Sequence, residues 1–265
     1  MNILDEIILH KRKEVEDRKK VLSMKDLEKG KYFTASAISL KDHVRRKDQS
    51  GIIAEFKRKS PSKGIFNANA DPLVITTAYA AAGAAGLSIL TDEHFFGGRK
   101  EDLTRCRANE IPILRKDFII DEYQLLESRS IGADVILLIA ACLSVKQVQQ
   151  LAAFAKSLSL EVLLEVHNQE ELQHICPEVD IVGVNNRDLK TFTVDINKSM
   201  VLSEQIGDEK LKISESGISD VNSIRLLREN GFKGFLIGET FMKEPDPAIA
   251  FARFIQQLKL AQHES

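Results

Sequence analysis

Short apolar runs alternate with longer amphipathic segments from residue 51 almost to the C-terminus. Apolar runs of roughly four to eight residues are typical of buried strands, whereas apolar residues three and four apart indicate helices. Strands are predicted at 51–57, 86–91, 112–117, 133–139, 161–166, 180–185, 210–215 and 234–238. Eight strand–helix units in about two hundred residues predict an α/β fold of the (β/α)8 TIM barrel type. A doubly wound sheet is disfavoured, because no G-x-G-x-x-G turn follows the first strand.

Helix starts between these strands carry capping signals. Asp71-Pro72 combines an N-cap with proline at the first helical position. The segment 144–147, Ser-Val-Lys-Gln, is a capping box. Ser219-Asp220 opens a further helix, which Gly231 closes.

The first 48 residues differ from the rest of the chain. They are rich in charge, and apolar residues such as Ile3, Ile7 and Val15 recur at helical spacing. We therefore predict an N-terminal helical extension at 1–48, packed on a catalytic barrel at 49–265, within a single domain. The run from His10 to Lys20 mixes both signs, which is typical of a solvated helix face.

Composition excludes several classes of protein. The 265 residues carry a formal net charge of −2, which gives no overall attraction to nucleic acid or membranes. No apolar run approaches the ~20 residues of a membrane span, and no signal-peptide pattern opens the chain. The three cysteines lack metal-ligand spacing, so we expect no metal site and a reducing, cytoplasmic location.

Charged residues occupy the ends of several predicted strands, beginning with Glu55 and Lys57. Their two-residue spacing puts both side chains on one face of the first strand. A buried charge costs free energy unless it is paired, so the two form either a structural ion pair or part of an active site.

The same feature recurs on four more strands, which end in Lys116, Glu165, Asn185 with Arg187, and Glu215. Active sites of such barrels lie at the carboxyl ends of the strands, so these five ends should meet at one mouth. Burial predicts a depressed pKa for Lys116 and a raised pKa for Glu165, and both shifts suit proton transfer.

Three neighbouring residues allow other interpretations. Asp117 could point inward in place of Lys116, and Arg187 could pair with Asp117 or Asp188 rather than bind a substrate. His167 directly precedes Asn168, a helix-cap residue, and is interpreted as a loop residue.

Glycines at the last two strand ends suggest an anion site. Strand seven ends in 215–217, Glu-Ser-Gly, and strand eight in 238–240, Gly-Glu-Thr. Barrels often bind phosphate in these loops, where glycine lets backbone N–H groups approach an oxyanion. Ser60 could add a hydroxyl, and Lys59 or Lys63 a charge.

With these residues in place, the chain resembles indole-3-glycerol phosphate synthases from the N-terminal extension to nearly the last helix. No single segment is specific, but their order and spacing together are. The matching segments are 54–62 (AEFKRKSPS), 90–98 (LTDEHFFGG), 115–118 (RKDF), 163–167 (LLEVH), 184–189 (VNNRDL), 215–218 (ESGI) and 236–239 (LIGE).

The resemblance implies a carboxy-lyase of tryptophan biosynthesis that needs no cofactor. Its anionic sugar-phosphate substrate, 1-(2-carboxyphenylamino)-1-deoxyribulose 5-phosphate, closes a ring and loses CO2 and water to give indole-3-glycerol phosphate. The resemblance also allows association with other enzymes of the tryptophan pathway.

The resemblance assigns roles by position. Lys116 matches the acid of ring closure, Lys57 the lysine that contacts the substrate carboxylate and assists dehydration, and Glu165 and Glu55 the carboxylates that move protons. Residues matching the polar surroundings of the substrate are Asn185, Arg187 and Glu215. Those matching the phosphate site are Ser60, Ser216, Gly217, Gly238 and Glu239, the last through its backbone. Those matching the apolar wall are Phe96, Phe118 and Leu137.

Two departures from the family pattern stand out. Arg99 follows Gly98 where the family often has serine, and the chain has no tryptophan near its N-terminus, so Ile7 or Ile8 would cap the pocket. Two other functions stay open: a ketose-forming isomerase, which would need a partner for Cys142, and a non-catalytic module that binds sugar phosphate. A class I aldolase is excluded, because no lysine occurs in 182–186.

Overall fold

The chain folds into a closed barrel of eight parallel strands. A computed structural model describes residues 3–46, 48–61, 63–189 and 191–263. Each strand pairs with the next along the chain, and the first pairs with the last. The strands are β1 (Ile52–Phe56), β2 (Gly86–Leu90), β3 (Ile113–Lys116), β4 (Val135–Ile139), β5 (Glu161–Val166), β6 (Ile181–Asn185), β7 (Leu211–Glu215) and β8 (Gly234–Ile237). The predicted barrel and all eight of its strands are confirmed.

Helices surround the strands and precede them. The helices are α1 (Ile3–Val21), α2 (Met24–Leu27), α3 (Leu40–Arg45), α4 (Pro72–Ala82), α5 (Glu93–Phe96), α6 (Lys100–Cys106), α7 (Glu122–Ile131), α8 (Val145–Ser157), α9 (Asn197–Ser203), α10 (Val221–Glu229), α11 (Glu239–Met242) and α12 (Pro247–His263). Two 3-10 turns span Ala140–Cys142 and Gln169–His174, and Lys59–Ser60 forms a short hairpin with Gly64–Ile65. None of the helices in the described part of the chain has the length and apolar character that a membrane crossing requires.

The predicted caps form. Asp71 accepts hydrogen bonds from the first-turn N–H groups of α4, and Ser144 and Gln147 complete the capping box of α8. Asp220 caps α10, and Gly231 follows that helix with a φ of +85°. These local signals fix where each helix begins, because the first N–H groups of a helix have no partner within it.

Side chains alternate between the two faces of each strand. On β1, Ile52, Ala54 and Phe56 pack outward against the helices, whereas Ile53 packs in the barrel interior. The period of two applies to every strand, so apolar residues fill the lower barrel and the last inward position of a strand faces the mouth.

Helix α3 closes the amino-terminal end of the barrel. Leu40 and Val44 belong to the inner core cluster, and the Glu161 carboxylate accepts hydrogen bonds from the Leu40 and Lys41 N–H groups, at 2.8 and 3.1 Å. The extension therefore packs on the barrel from below as well as from the side. Its division from the barrel at residue 48 stays a prediction.

Helix α1 lies against the opposite, functional end, and one of its lysines is buried. Lys11 is fully buried, with its Nζ 2.9 Å from both Asp92 Oδ2 and Asp117 Oδ1 and 2.7 Å from Glu14 Oε2. The interpretation of 10–20 as a solvated face is therefore wrong at this position. Asp92 follows β2 and Asp117 follows β3, so Lys11 joins the extension to two strand ends.

We expect the Lys11→Met substitution to lower the free energy of unfolding by about 3 kcal/mol, because it leaves two buried aspartates without their cation. Urea unfolding followed by circular dichroism measures the change.

Lys20→Met is the matched control on the same helix. Lys20 is largely exposed and pairs with the exposed Asp17 at 2.8 Å, so this change should have no measurable effect. Equal stability of the two variants would show that the Lys11 cluster does not hold α1 on the barrel.

Candidate active site

The last inward position of five strands carries a polar side chain. These residues are Glu55 on β1, Lys116 on β3, Glu165 on β5, Asn185 on β6 and Glu215 on β7. Strand register aligns them, since Asn185 pairs with Glu215 across β6 and β7. The barrel therefore brings together side chains that are up to 160 positions apart in the chain.

These residues line one cavity of about 620 Å³ at the carboxyl ends of the strands. Every site residue predicted from the sequence lies in its wall: Glu55, Lys57, Ser60, Phe96, Lys116, Phe118, Leu137, Glu165, Asn185, Arg187, Glu215, Ser216, Gly217, Gly238 and Glu239. Lys63 also lines the cavity, whereas the Lys59 ammonium donates to the His94 carbonyl at 2.6 Å. The predicted convergence of strand ends is present.

Lys116 bridges two buried carboxylates. Its Nζ lies 2.8 Å from Glu165 Oε2 and 2.7 Å from Glu215 Oε2. Asn185 donates to the other oxygen of Glu165 at 3.1 Å. Asp117 is turned to Lys11 and Arg115, which resolves the ambiguity between residues 116 and 117 in favour of Lys116.

The predicted pKa shifts of Lys116 and Glu165 are both wrong in direction. Burial alone would lower the pKa of Lys116, but the charges of Glu165 and Glu215 outweigh it and raise that pKa. Burial alone would raise the pKa of Glu165, but Lys116 and His167 lower it. Partner charges decide both signs, so Lys116 stays cationic and Glu165 anionic at neutral pH.

The pKa of Glu215 is shifted in the direction opposite to that of Glu165. Burial and the negative charges of Glu165 and Glu55 raise its pKa to about 7, against the attraction of Lys116. Its Oε1 is buried and has no hydrogen-bond partner among the described residues. Gly183 makes room for this carboxyl, because a Cβ there would lie 2.3 Å from Oε1. Of the two carboxyl groups that share Lys116, Glu215 is therefore the one whose pKa is raised toward neutrality.

A second lysine–carboxylate pair lies on β1. Lys57 Nζ is 2.7 Å from Glu55 Oε1, and both side chains are largely buried at the cavity wall. Lys57 also lies over the Phe66 ring, with 5.8 Å between its Nζ and the ring centroid. The cavity thus holds two separate lysine–carboxylate groups.

The anion site predicted from glycines has an unusual backbone. Ser216 and Gly217 adopt φ values of +68° and +76° in succession. Serine rarely adopts such a conformation, and strain of this kind concentrates at functional sites. Both residues line the cavity, so this unusual backbone lies at the part of the wall where the anion site is predicted.

The loop after β8 completes this rim. Glu239 begins α11, whose first N–H groups lack partners within the helix, and Thr240 donates to the Ile218 carbonyl at 2.8 Å. The Glu239 carboxylate is occupied by Arg187 Nη2 at 3.0 Å. Ser60 contributes a buried hydroxyl without a hydrogen-bond partner in the described ranges.

Apolar residues form the remaining wall. The Phe96 and Phe118 rings lie 6.0 Å apart at 38°, and Leu137 contributes from β4. Helix α1 adds Ile7, together with Ile3 and Leu4. Of the two isoleucines that the sequence offered as replacements for tryptophan, Ile7 lines the cavity.

Comparison with known proteins shows the family of this chain. The family model described as Indole-3-glycerol phosphate synthase matches residues 4–254. The chain belongs to the indole-3-glycerol phosphate synthase family. The enzyme class expected from the sequence, a carboxy-lyase of tryptophan biosynthesis, is thereby confirmed.

Full-length relatives support this assignment. The indole-3-glycerol phosphate synthase of Bacteroides thetaiotaomicron is 48% identical over 259 residues, which cover 97% of this chain and 99% of the relative. That of Acinetobacter baylyi is 41% identical over 261 residues, with 97% of each chain covered. The 3-hexulose-6-phosphate synthase from Salmonella typhimurium has a similar fold, with a TM-score of 0.61 at 13% identity over 79% of this chain and 98% of that chain.

Sequence reasoning missed two charged residues that lie beside this cavity and contact residues in its wall. The mixed charges of residues 10–20 predict a solvated face for Lys11, although it binds the carboxylate of Asp117, which follows Lys116 in the chain. His167 was interpreted as a loop residue, yet its Nε2 lies 3.1 Å from Glu165 Oε1. The aspartates after β2 and β3 were the available signal for Lys11. For His167 the signal was its position two residues after an inward glutamate, the same spacing that drew attention to Glu55 and Lys57.

Glu215 should make anion binding depend on pH. It is neutral below pH 7 and negative above, so a negative charge appears beside the anion rim as the pH rises. Such a charge costs about 1 kcal/mol, or about fivefold in affinity. Inhibition by sulfate, whose charge is constant from pH 5 to 9, should weaken about fivefold across pH 7.

Glu215→Gln is the matched variant for this prediction. The amide keeps the size of the side chain but cannot ionise, so sulfate inhibition should no longer change near pH 7. The same pH dependence in both proteins would assign the titration to a different group.

Proposed function

We propose that the indole-3-glycerol phosphate synthase reaction of this chain is carried by two lysine–carboxylate groups in the wall of one cavity. Lys116 with Glu165 and Glu215 forms one group, and Lys57 with Glu55 forms the other. The observation that supports this most strongly is that each lysine has its own carboxylate partner, because ring closure and dehydration each need a proton donor.

Lys116 serves ring closure. As the aromatic carbon attacks the ketone, negative charge develops on the ketone oxygen, and a fixed ammonium stabilises that charge and donates its proton. The raised pKa does not prevent this transfer, because the developing alkoxide is far more basic than the ketone. Protonated Glu215, 2.7 Å from Lys116, can then return a proton to the lysine.

Loss of CO2 and of water completes the product. The carbon–carbon bond to the carboxylate breaks and leaves its electron pair in the ring. Lys57 protonates the departing hydroxyl, and a carboxylate removes the remaining ring proton. Glu55 lies 2.7 Å from Lys57, and Glu165 lies 2.8 Å from Lys116, so each remains a candidate for this base.

The rest of the cavity binds the substrate. The phosphate lies against Ser60, the Ser216–Gly217 turn and the Gly238–Glu239 backbone. The aromatic ring lies against Phe96, Phe118 and Leu137. Arg187 and Asn185 contact the polar groups between these two ends. The apolar wall and the anion rim share one cavity, which suits a substrate that joins an aryl ring to a sugar phosphate.

The isomerase alternative receives no support from Cys142. This cysteine lies in the 3-10 turn after β4, where burial and the nearby Glu165 and Glu171 raise the pKa of its thiol. A neutral thiol is a poor base. Incubation with phosphoribosylanthranilate should therefore leave its fluorescence unchanged.

Two wider features are also proposed. The residues 1–48 act as part of the catalytic unit, because Ile7 lines the cavity and Lys11 holds α1 at the strand ends. A reducing, cytoplasmic location suits Cys106, Cys142 and Cys176, which are all free. Association with other tryptophan-pathway enzymes stays a prediction.

Lys116→Met should reduce kcat by about a thousandfold or more, because it removes both the acid and the charge that stabilises the oxyanion. The assay supplies the carboxyphenylamino-deoxyribulose phosphate and follows indole absorbance. Circular dichroism should show an unchanged fold.

The matched control is Lys156→Met on the outer helix α8, where Lys156 pairs with Asp180 at 2.8 Å. It should keep full activity. Near-normal turnover in Lys116→Met would contradict the proposed mechanism.

Gly238→Ala should raise KM about tenfold, because an added Cβ would lie 2.6 Å from Glu55 Oε1 and 2.8 Å from Glu55 Cβ. The φ of Gly238 is −130°, so alanine there does not need the left-handed backbone that disfavours side chains. Steady-state kinetics with the natural substrate measures the change.

Gly83→Ala separates backbone strain from this clash. Gly83 has a φ of +103°, and the space that an added Cβ would occupy is open, so alanine should lower stability and leave KM unchanged. An unchanged KM in Gly238→Ala would remove the β8 loop from the phosphate site.

A further inference from the structure

Glu165 uses its two oxygens on different partners. Oε2 lies 2.8 Å from Lys116 Nζ, whereas Oε1 lies 3.1 Å from Asn185 Nδ2 and 3.1 Å from His167 Nε2. Lys116 therefore contacts only one of the two oxygens of the Glu165 carboxylate. The other oxygen, Oε1, lies next to His167, a residue to which the proposed reaction assigns no role.

His167 is fixed from behind by Glu171. Its Nδ1 lies 3.1 Å from Glu171 Oε2, and its backbone N–H donates to the same oxygen at 2.8 Å. Asn168 holds Glu171 in turn, because its Nδ2 donates to Glu171 Oε1 at 2.8 Å and its Oδ1 accepts from the Glu171 N–H at 3.0 Å. The imidazole ring thus lies between two carboxylates, the buried Glu165 and the half-buried Glu171. Its Nε2 is close enough to Glu165 for an ion pair, but no hydrogen bond to this nitrogen forms among the described residues.

This arrangement selects one protonation state. A neutral imidazole has one donor and one acceptor nitrogen, so one of its nitrogens would oppose a carboxylate with a lone pair. Only the imidazolium presents N–H groups to Glu165 and Glu171 together. Burial lowers the pKa of His167, but the two carboxylates outweigh it and raise that pKa to about 9.

Other titratable groups nearby do not change this balance. Cys142 faces both glutamates from the 3-10 turn after β4 and stays a neutral thiol. His174 points both ring nitrogens at backbone carbonyls, those of Glu171 and Leu143, each at 3.0 Å. Beyond Glu165 lie Lys116 and Glu215, which belong to the group already described.

We propose that His167 is a positioning residue, which Glu171 holds as an imidazolium and which orients the Glu165 carboxylate and keeps it negative. The proposal rests on the proposed role of Glu165 in proton transfer. Lys116 binds Glu165 and Glu215 at nearly equal distances and cannot by itself decide which of them carries a proton. Of these two carboxylates, His167 contacts only Glu165, and it adds a positive charge to the neutral hydrogen bond that Asn185 already donates there.

The first test observes the imidazole itself. NMR titration of protein labelled with 15N-histidine, assigned with His167→Asn, should show that His167 stays doubly protonated up to pH 8. Glu171→Gln should lower its titration midpoint by about one to two pH units, because one charged partner is lost. A His167 midpoint near 6.5 in the unaltered enzyme would overturn the proposal.

The second test is kinetic. His167→Asn should lower kcat about tenfold with KM within twofold, and should move the acidic limb of the kcat profile upward by about one pH unit. Glu171→Gln should move that limb in the same direction by less. A fall in activity with an unmoved acidic limb would indicate a merely structural histidine and would overturn the proposal.

Two controls keep the outcomes separate. His43→Asn, on α3 at the far end of the barrel, should leave the pH profile unchanged. Glu165→Gln should lower the NMR midpoint of His167, and no shift would overturn the proposed contact. If that midpoint falls while Glu165→Gln retains turnover, the contact between the two residues stands and the proposed role of Glu165 fails.

Discussion

The charge balance around Lys116 is the constraint on which the site depends. One ammonium group lies within 2.8 Å of two buried carboxylates, so a fully ionised cluster would carry excess negative charge in a poorly hydrated place. A proton on Glu215 relieves that excess, and His167 leaves Glu165 ionised. The mouth of the barrel is thereby suited to an anionic substrate although the whole chain carries a formal charge of −2.

The barrel positions these charged groups without disturbing its apolar core. Strand alternation fills the lower interior with apolar side chains and leaves the last inward position of each strand for chemistry. The charged residues therefore need no change in the apolar pattern below them. Helix α1 closes the side of the mouth, and its buried Lys11 pairs with the carboxylates that follow β2 and β3.

Much of this could be predicted from the sequence, because it depends on local periodicity. The eight strands, the helix caps and the inward positions of Glu55 and Glu165 follow from spacing, whereas the choice between Lys116 and Asp117 needed the partners of Asp117. The same pattern could not give the pKa directions of Lys116 and Glu165. Burial can be inferred from the surrounding residues, but the sign of each shift depends on partners 49 and 99 positions away.

Lys11 and His167 also could not be identified from the sequence, because their roles depend on residues that only the fold brings next to them. The sequence of a helix of mixed charge does not distinguish Lys11 from its exposed neighbours. Only the folded barrel brings the aspartates after β2 and β3 into contact with it. A histidine before a capping asparagine resembles a loop residue until the 3-10 turn folds Glu171 back onto it. Both residues are defined by closure of the tertiary structure rather than by their neighbours in the chain.

The central claim is that Glu215, and not Glu165, is the carboxyl group next to Lys116 that exchanges a proton near neutral pH. Side-chain carboxyl 13C chemical shifts of the resting enzyme, assigned with Glu215→Gln and Glu165→Gln, measure this directly as a function of pH. The account predicts that Glu215 titrates near pH 7 while Glu165 stays ionised down to pH 5. A midpoint near 7 for Glu165, with Glu215 ionised throughout, would contradict it.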